Sequence, residues 1–186
     1  MSETIINNFS LISRLFGNLF YRSPTDSILD GVFGWLQQKG LEQVWPLDTD
    51  EDVRQALDSV QMTIAKEVLA QEYERLFAGE QPKIDSRISA YGLNVDEFIN
   101  FRQTRGMPEV ESADNFSLLL LTASWIEDNL DSISAQQELF ESFLLPCASK
   151  FLTYVETYAL LPFYRSLALL TREILAAMAD ELEENE

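Results

Sequence analysis

The sequence predicts an all-α, single-domain helical bundle, and three observations lead there. Apolar residues recur three and four positions apart along nearly the whole chain, the spacing of helices rather than strands. Residues that suit helix starts precede several of these runs, and Gly or Pro follows them. Finally, Phe116 to Ile126 carries no charge at all. A bilayer span needs about 20 apolar residues, so this shorter run is expected to form a helix buried on all sides inside a bundle.

Each element follows from the same signals. Ile5, Phe9, Ile12, Phe16 and Leu19 or Phe20 share one stripe of a first helix, which stops near Arg22, ahead of Ser23-Pro24. A second helix over about Asp26 to Gln38 ends at Gly40, read as its left-handed cap. After Trp45-Pro46, one long helix starts near Asp50 and carries Val53, Leu57, Val60, Ile64 and Val68 toward Tyr73, Leu76 and Phe77, where Gly79 and Pro82 end it. Gly79 to Leu93 lacks a period and reads as a loop. Asn94 with Glu97 opens a short helix ending at Gly106, and Met107 to Ser112 connects it onward. Asp114 is the expected N-cap of the uncharged helix, with Glu127 and Asp128 at its return to water. From Ser134 the chain is helical with interruptions at Pro146 and Pro162, the latter starting a new helix. Residues 1–179 form the helical domain and 180–186 an acidic, frayed tail.

Composition excludes several function classes. At 186 residues and 46% hydrophobic content the chain can bury a full core. Its 13 basic against 31 acidic residues give a formal charge of −18, which disfavours nucleic acid and anionic lipid. That charge serves solubility or, more specifically, an acidic receptor for a cationic peptide. No stable membrane insertion is expected. The start Met1-Ser2-Glu3-Thr4 lacks the basic residues of an export signal, and the single Cys147 excludes an intramolecular disulfide, so a cytoplasmic location is expected.

The chain has no histidine, which removes Ser-His and Cys-His nucleophiles and imidazole metal sites. Asp48-Thr49-Asp50-Glu51-Asp52 fails as a calcium loop, because Val53 stands where the turn glycine belongs and Ser59 where the bidentate glutamate belongs. Phosphate-cradling glycine loops are absent. No catalytic residue, cofactor or metal is expected, although a carboxylate enzyme using Mg²⁺ and a plain adaptor remain as alternatives.

Four segments then carry a resemblance. Tyr73-Glu74-Arg75-Leu76-Phe77-Ala78-Gly79, Ala113-Asp114-Asn115-Phe116 leading into Leu118-Leu119-Leu120, Phe143-Leu144-Leu145-Pro146, and Val155 to Ala159 with Pro162-Phe163-Tyr164-Arg165 together resemble the TorD/DmsD/NarJ family of redox-enzyme maturation chaperones. The length, the Pro-Phe-Tyr-Arg turn and the Asp-Glu-Leu-Glu-Glu ending are most similar to its YcdY branch. The resemblance implies a TorD-like helical fold and a chaperone that holds an immature molybdoenzyme, or its twin-arginine leader, until cofactor insertion. The YcdY branch implies instead a metal-dependent phosphohydrolase client without leader binding. Asn115 stands where the family has His, Cys147 where it has Trp, and Asp85-Ser86-Arg87 where it has a Pro-Pro-aromatic loop. The pair headed by Asp114 and that loop are the positions the resemblance assigns to the leader-peptide pocket.

Residue chemistry points the same way. An apolar groove with carboxylates at its edge would accept a client's hydrophobic segment and its flanking Arg or Lys. Tyr73, Leu76, Phe77, Phe116 and Phe163 are groove candidates, each with core packing as its alternative. Glu109, Glu111, Asp114 and Glu156 are the candidate charge partners, with Asn115 beside them. Glu156 lies on a mostly apolar helix and needs a partner such as Arg165 or Arg172. The two irregular connections are possible hinges, so the chain is expected as a monomer or a domain-swapped dimer.

Overall fold

The computed structural model describes residues 6–185, and every regular element among them is helical. Ile5 of the expected first stripe, Met1 to Thr4 and Glu186 lie outside the described residues. Helix α1 (Phe9–Tyr21) buries Phe9, Ile12, Phe16, Leu19 and Phe20 and packs against α7 (Phe116–Asn129). The two run antiparallel, since the Ser10 hydroxyl bonds Ser124 and the Ser13 hydroxyl donates to Leu120 O at 2.6 Å. Gly17 permits this closeness: a Cβ there would stand 2.9 Å from Leu121 Cδ2 and 3.2 Å from Ser117 O. As its lack of charge predicts, α7 is buried over most of its circumference.

A 3₁₀ turn (Ser27–Leu29), capped by Asp26, precedes α2 (Asp30–Gln37), and α3 (Gly40–Val44) follows directly. The left-handed residue is Lys39, at φ 63°, rather than Gly40. Gly40 has a different reason to be glycine: its added Cβ would lie 2.2 Å from the Trp35 indole. The expected long helix is two, α4 (Glu51–Gln61), capped by Asp50, and α5 (Lys66–Tyr73). Met62 is extended, and the break moves the buried stripe by one residue, so Leu69 is buried while Val68 is exposed. A π turn (Glu74–Ala78) closes α5, with Gly79 N donating to Glu74 O at 2.7 Å.

The segment from Gly79 to Leu93 is mostly irregular and holds one 3₁₀ turn (Ile88–Tyr91). Next come α6 (Val95–Gln103), α7, and α8 (Ile133–Leu139), which starts one residue before the expected Ser134 and is capped by Ser132. Pro146 does not interrupt the chain, because a π turn (Phe140–Leu144) leads straight into α9 (Leu145–Tyr158) and widens the backbone where the ring would meet the carbonyl four residues back. Pro162 opens α10 (Pro162–Glu184) as expected. That helix passes residue 179 without a break, and Leu182 is buried with its carbonyl accepting from Gln137 Nε2 at 2.8 Å. An acidic segment expected to fray from Asp180 is therefore helical to Glu184 and docked through Leu182.

Helix α10 packs on α4 and α9, and α1 lies on α7. Between them the aromatic rings form one cluster. Phe116 stacks on Phe151 at 4.1 Å, Phe20 meets both edge-on, and Phe77 bridges Phe151 and Tyr164. No helix among the described residues is long and apolar enough to cross a membrane.

Candidate functional site

The head of α7 is where the polar contacts of the middle of the chain converge. Asp114 does not cap this helix. Asn115 does, its Oδ1 accepting from Ser117 N at 2.8 Å, because Asn115 stands directly before the first helical residue with an extended backbone that aims its side chain at the first free N–H groups. The Asp114 carboxylate instead accepts from Ser89 N at 2.9 Å and Ser89 Oγ at 2.6 Å. Phe116 N donates to Ser86 O at 2.8 Å, so the segment around residues 85–91 is clasped onto the start of α7.

On the other side of Asp114 lies a hollow of about 360 Å³. Asn94 starts its α6 wall by accepting from Glu97 N at 3.2 Å, and Gly106, at φ 74°, turns the chain back along the rim. Val95, Ile99, Met107 and Val110 supply apolar surface, while Glu109, Glu111 and Asp114 supply carboxylates. Glu109 and Glu111 are exposed and form no hydrogen bond or ion pair among the described residues. Arg102 also lines the hollow and is itself buried, donating to Thr122 Oγ1 at 2.6 Å and to Pro108 O at 2.9 Å. Burial lowers its pKa, and no carboxylate pairs with it among the described residues. Arg102 thus pins the rim segment to α7 from below.

Three of the expected site residues, Glu109, Glu111 and Asp114, meet at this hollow, with Asn115 next in sequence. The others do not. Leu76, Phe116 and Phe163 are fully covered, and Tyr73 is buried with its hydroxyl donating to Tyr21 O at 2.6 Å. That burial pushes the Tyr73 pKa up to about 12. Phe77 is half-buried inside the ring cluster. Their alternative reading as core is the one their positions match. Glu156 lies on α9 away from the hollow and pairs with Arg172, one of its two expected partners, while Arg165 donates to Ala159 O.

Two residues escaped the sequence reading. Arg102 sits four positions after Phe98 on the buried face of α6, where a charge signals a demanding site. Glu72 follows Leu69 by three and precedes Leu76 by four, again on the buried stripe. It is 5% exposed and accepts from Leu160 N at 2.7 Å, Leu161 N at 3.1 Å and Arg75 Nη2 at 2.9 Å. This carboxylate ties α5 to the corner between α9 and α10. Cys147 is fully buried with its thiol pushed up to about 12, mainly by burial. Among the described residues no group of three or more His, Cys, Asp or Glu is arranged to hold a metal ion.

The class so defined is an all-α protein with an apolar hollow rimmed by free carboxylates. No protein-family model matches the chain. It is 68% identical over 184 residues to an uncharacterised protein of Haemophilus influenzae, covering 99% of this chain and 100% of that one. It is 38% identical over 185 residues to the chaperone protein YcdY of Escherichia coli, covering 97% and 98% of the two chains. It is also 28% identical over 189 residues to the Tat proofreading chaperone DmsD of Salmonella typhimurium, covering 95% and 91%. The chain belongs to the TorD/DmsD family of chaperones, on the side of YcdY.

Proposed function

We propose that this chain is a maturation chaperone that binds an unfinished metalloenzyme and releases it once the metal or cofactor is in place. The observation that carries this reading is the hollow beside Asp114, with an apolar floor and two unpaired glutamates at its edge. An apolar side chain of the client would seat against Val95, Ile99 and Met107, and a flanking Arg or Lys would pair with Glu109 or Glu111. Such pairs, on a surface with a net charge of −18, speed encounter with a basic segment more than they add affinity. The role is one of binding, not of chemical conversion, and it takes place in the cytoplasm as a monomer or a helix-exchanged dimer.

Two clients compete: a molybdoenzyme bearing a twin-arginine leader, and a metal-dependent hydrolase without one. The hydrogen bonds of Asp114 to Ser89 and of Asn115 to Ser117 favour the second, because both side chains are already engaged within the fold. Calorimetric titration with a synthetic twin-arginine leader separates the two. Heat that disappears in Glu109→Lys with Glu111→Lys supports the leader-bearing client. No heat with the wild-type protein removes that client and leaves the hydrolase. A rise in melting temperature on adding Mg²⁺, reversed by chelator, would overturn the chaperone reading in favour of a carboxylate enzyme.

A further inference from the structure

A second groove, of about 430 Å³ and sharing no lining residue with the first, lies between the clasped 85–91 segment and α9. Its chemistry is the reverse of the first. Lys83 and Lys150 line it together with Tyr91, Tyr154 and Tyr158. Neither lysine forms an ion pair among the described residues, although most cations of this acidic chain do. The acid in the lining, Asp85, is already taken. Arg87 donates to it through Nε at 3.0 Å and Nη2 at 2.8 Å, and these bonds hold the Asp85 pKa below its ordinary value.

The tyrosines form a ladder, with ring centres 6.2 Å apart for Tyr91 and Tyr154 and 6.4 Å apart for Tyr154 and Tyr158. Tyr154 and Tyr158 remain 44% and 42% exposed, large amphipathic rings of the kind enriched in protein interfaces. The walls are fixed in advance. Lys83 N donates to Arg75 O at 3.0 Å, Arg75 Nη2 donates to Tyr158 O at 2.6 Å, and the Tyr91 hydroxyl donates to Asp85 O at 2.6 Å. A groove that is held open this way orders few side chains on binding.

We propose that this groove is a second docking surface and that it takes an acidic stretch of polypeptide. On a chain with a net charge of −18 most of the surface repels a carboxylate-bearing segment; here two unpaired ammonium groups await it beside rings that can cover its apolar stems. The proposal rests on the reading that the ligand of this chain is a protein. It adds that the client presents both signs, basic residues to the hollow at Glu109 and Glu111 and acidic ones across the 85–91 segment.

Two short fluorescent peptides of equal tyrosine and aliphatic content, one rich in glutamate and one rich in lysine, test this by anisotropy at low salt. Lys83→Glu with Lys150→Glu changes only exposed side chains, and an unchanged melting temperature would verify the fold. The glutamate-rich probe should bind the wild type, weaken roughly tenfold or more in that double variant, and be unaffected by Glu109→Lys with Glu111→Lys. Failure of the glutamate-rich probe to bind, or binding indifferent to the two lysines, overturns the groove. So does displacement by inorganic phosphate at constant ionic strength, since a small anion would then suffice. Self-association abolished by the same two lysine substitutions would also overturn it, reassigning the groove to the acidic end of a second copy. Loss of lysine-rich probe binding alone would strike the hollow at Glu109 and Glu111 and leave this groove standing.

Discussion

The interior of α7 and the collar of loop around its head are held by opposite means. Inside, Phe116 is fully buried and stacked on Phe151, and many apolar contacts share the load, none of them singular. In the collar, Asp114 with Ser89, Ser86 with Phe116 N, and Arg102 with Thr122 and Pro108 act as separate fasteners. The interior tolerates changes that keep its volume, whereas the collar depends on the identity of single polar atoms. Both candidate binding surfaces flank the collar, so the part of the molecule with few redundant contacts is the part that presents them.

Substitutions can break or sharpen this contrast. Phe116→Ala should cost the most, about 3–5 kcal/mol by chemical denaturation, because it opens a void beside Phe151 and Phe20. A loss under 1 kcal/mol would mean that the interior is loosely packed. Glu72→Ala should cost about 2–3 kcal/mol, since Leu160 N, Leu161 N and Arg75 lose one shared acceptor. Asp114→Ala should cost about 1–2 kcal/mol, and a double-mutant cycle with Ser89→Ala should show as coupling the part carried by the Ser89 hydroxyl, since the bond from Ser89 N survives that substitution. Independent effects would undo the fastener picture. Glu109→Gln with Glu111→Gln should stay within about 0.5 kcal/mol of wild type, as exposed residues without partners do, while weakening basic ligands.

Alkali tests the buried acids of the interior. Tyr73 and Cys147 are acids whose folded-state pKa is raised to about 12, so the folded state keeps protons that the unfolded chain releases. Stability is full below the unfolded values, near pH 9–10, and declines as the pH climbs toward 12. Melting curves across that interval should fall less steeply for Tyr73→Phe.

The same contrast explains what could be seen in the residues alone. The stripe of α1, the uncharged α7, the Asn94 and Asp50 caps and the Pro162 start are repetitive or local signals, and the helices stand where these put them. Val60, Ile64 and Val68 keep an i+4 spacing straight through the break at Met62, so periodicity could not reveal it. Asp114 and Asn115 are both good caps by type, and the choice between them turned on which residue directly precedes the first turn and on Ser89, 25 residues away. Arg102 and Glu72 were visible as charges on buried stripes, yet apart from Arg75, three residues after Glu72, their partners are a carbonyl, a hydroxyl and two amides that sequence does not single out. The acids of the hollow were identified and its apolar floor was not, because Met107 and Val110 belong to a connector without a period.

The wide turn at Glu74–Ala78 constrains how the gene for this protein can change length. Five residues there occupy the arc that four would fill in an ordinary helix, with Gly79 N closing on Glu74 O. Deleting one codon within it would restore a regular turn and swing Phe77 by about 100° relative to the rings of Phe151 and Tyr164. A codon lost or gained between Pro108 and Ser112 meets no such geometry. Indels should therefore be purged from the first stretch by loss of the fold, and from the second only through the glutamates it sets on the rim of the hollow.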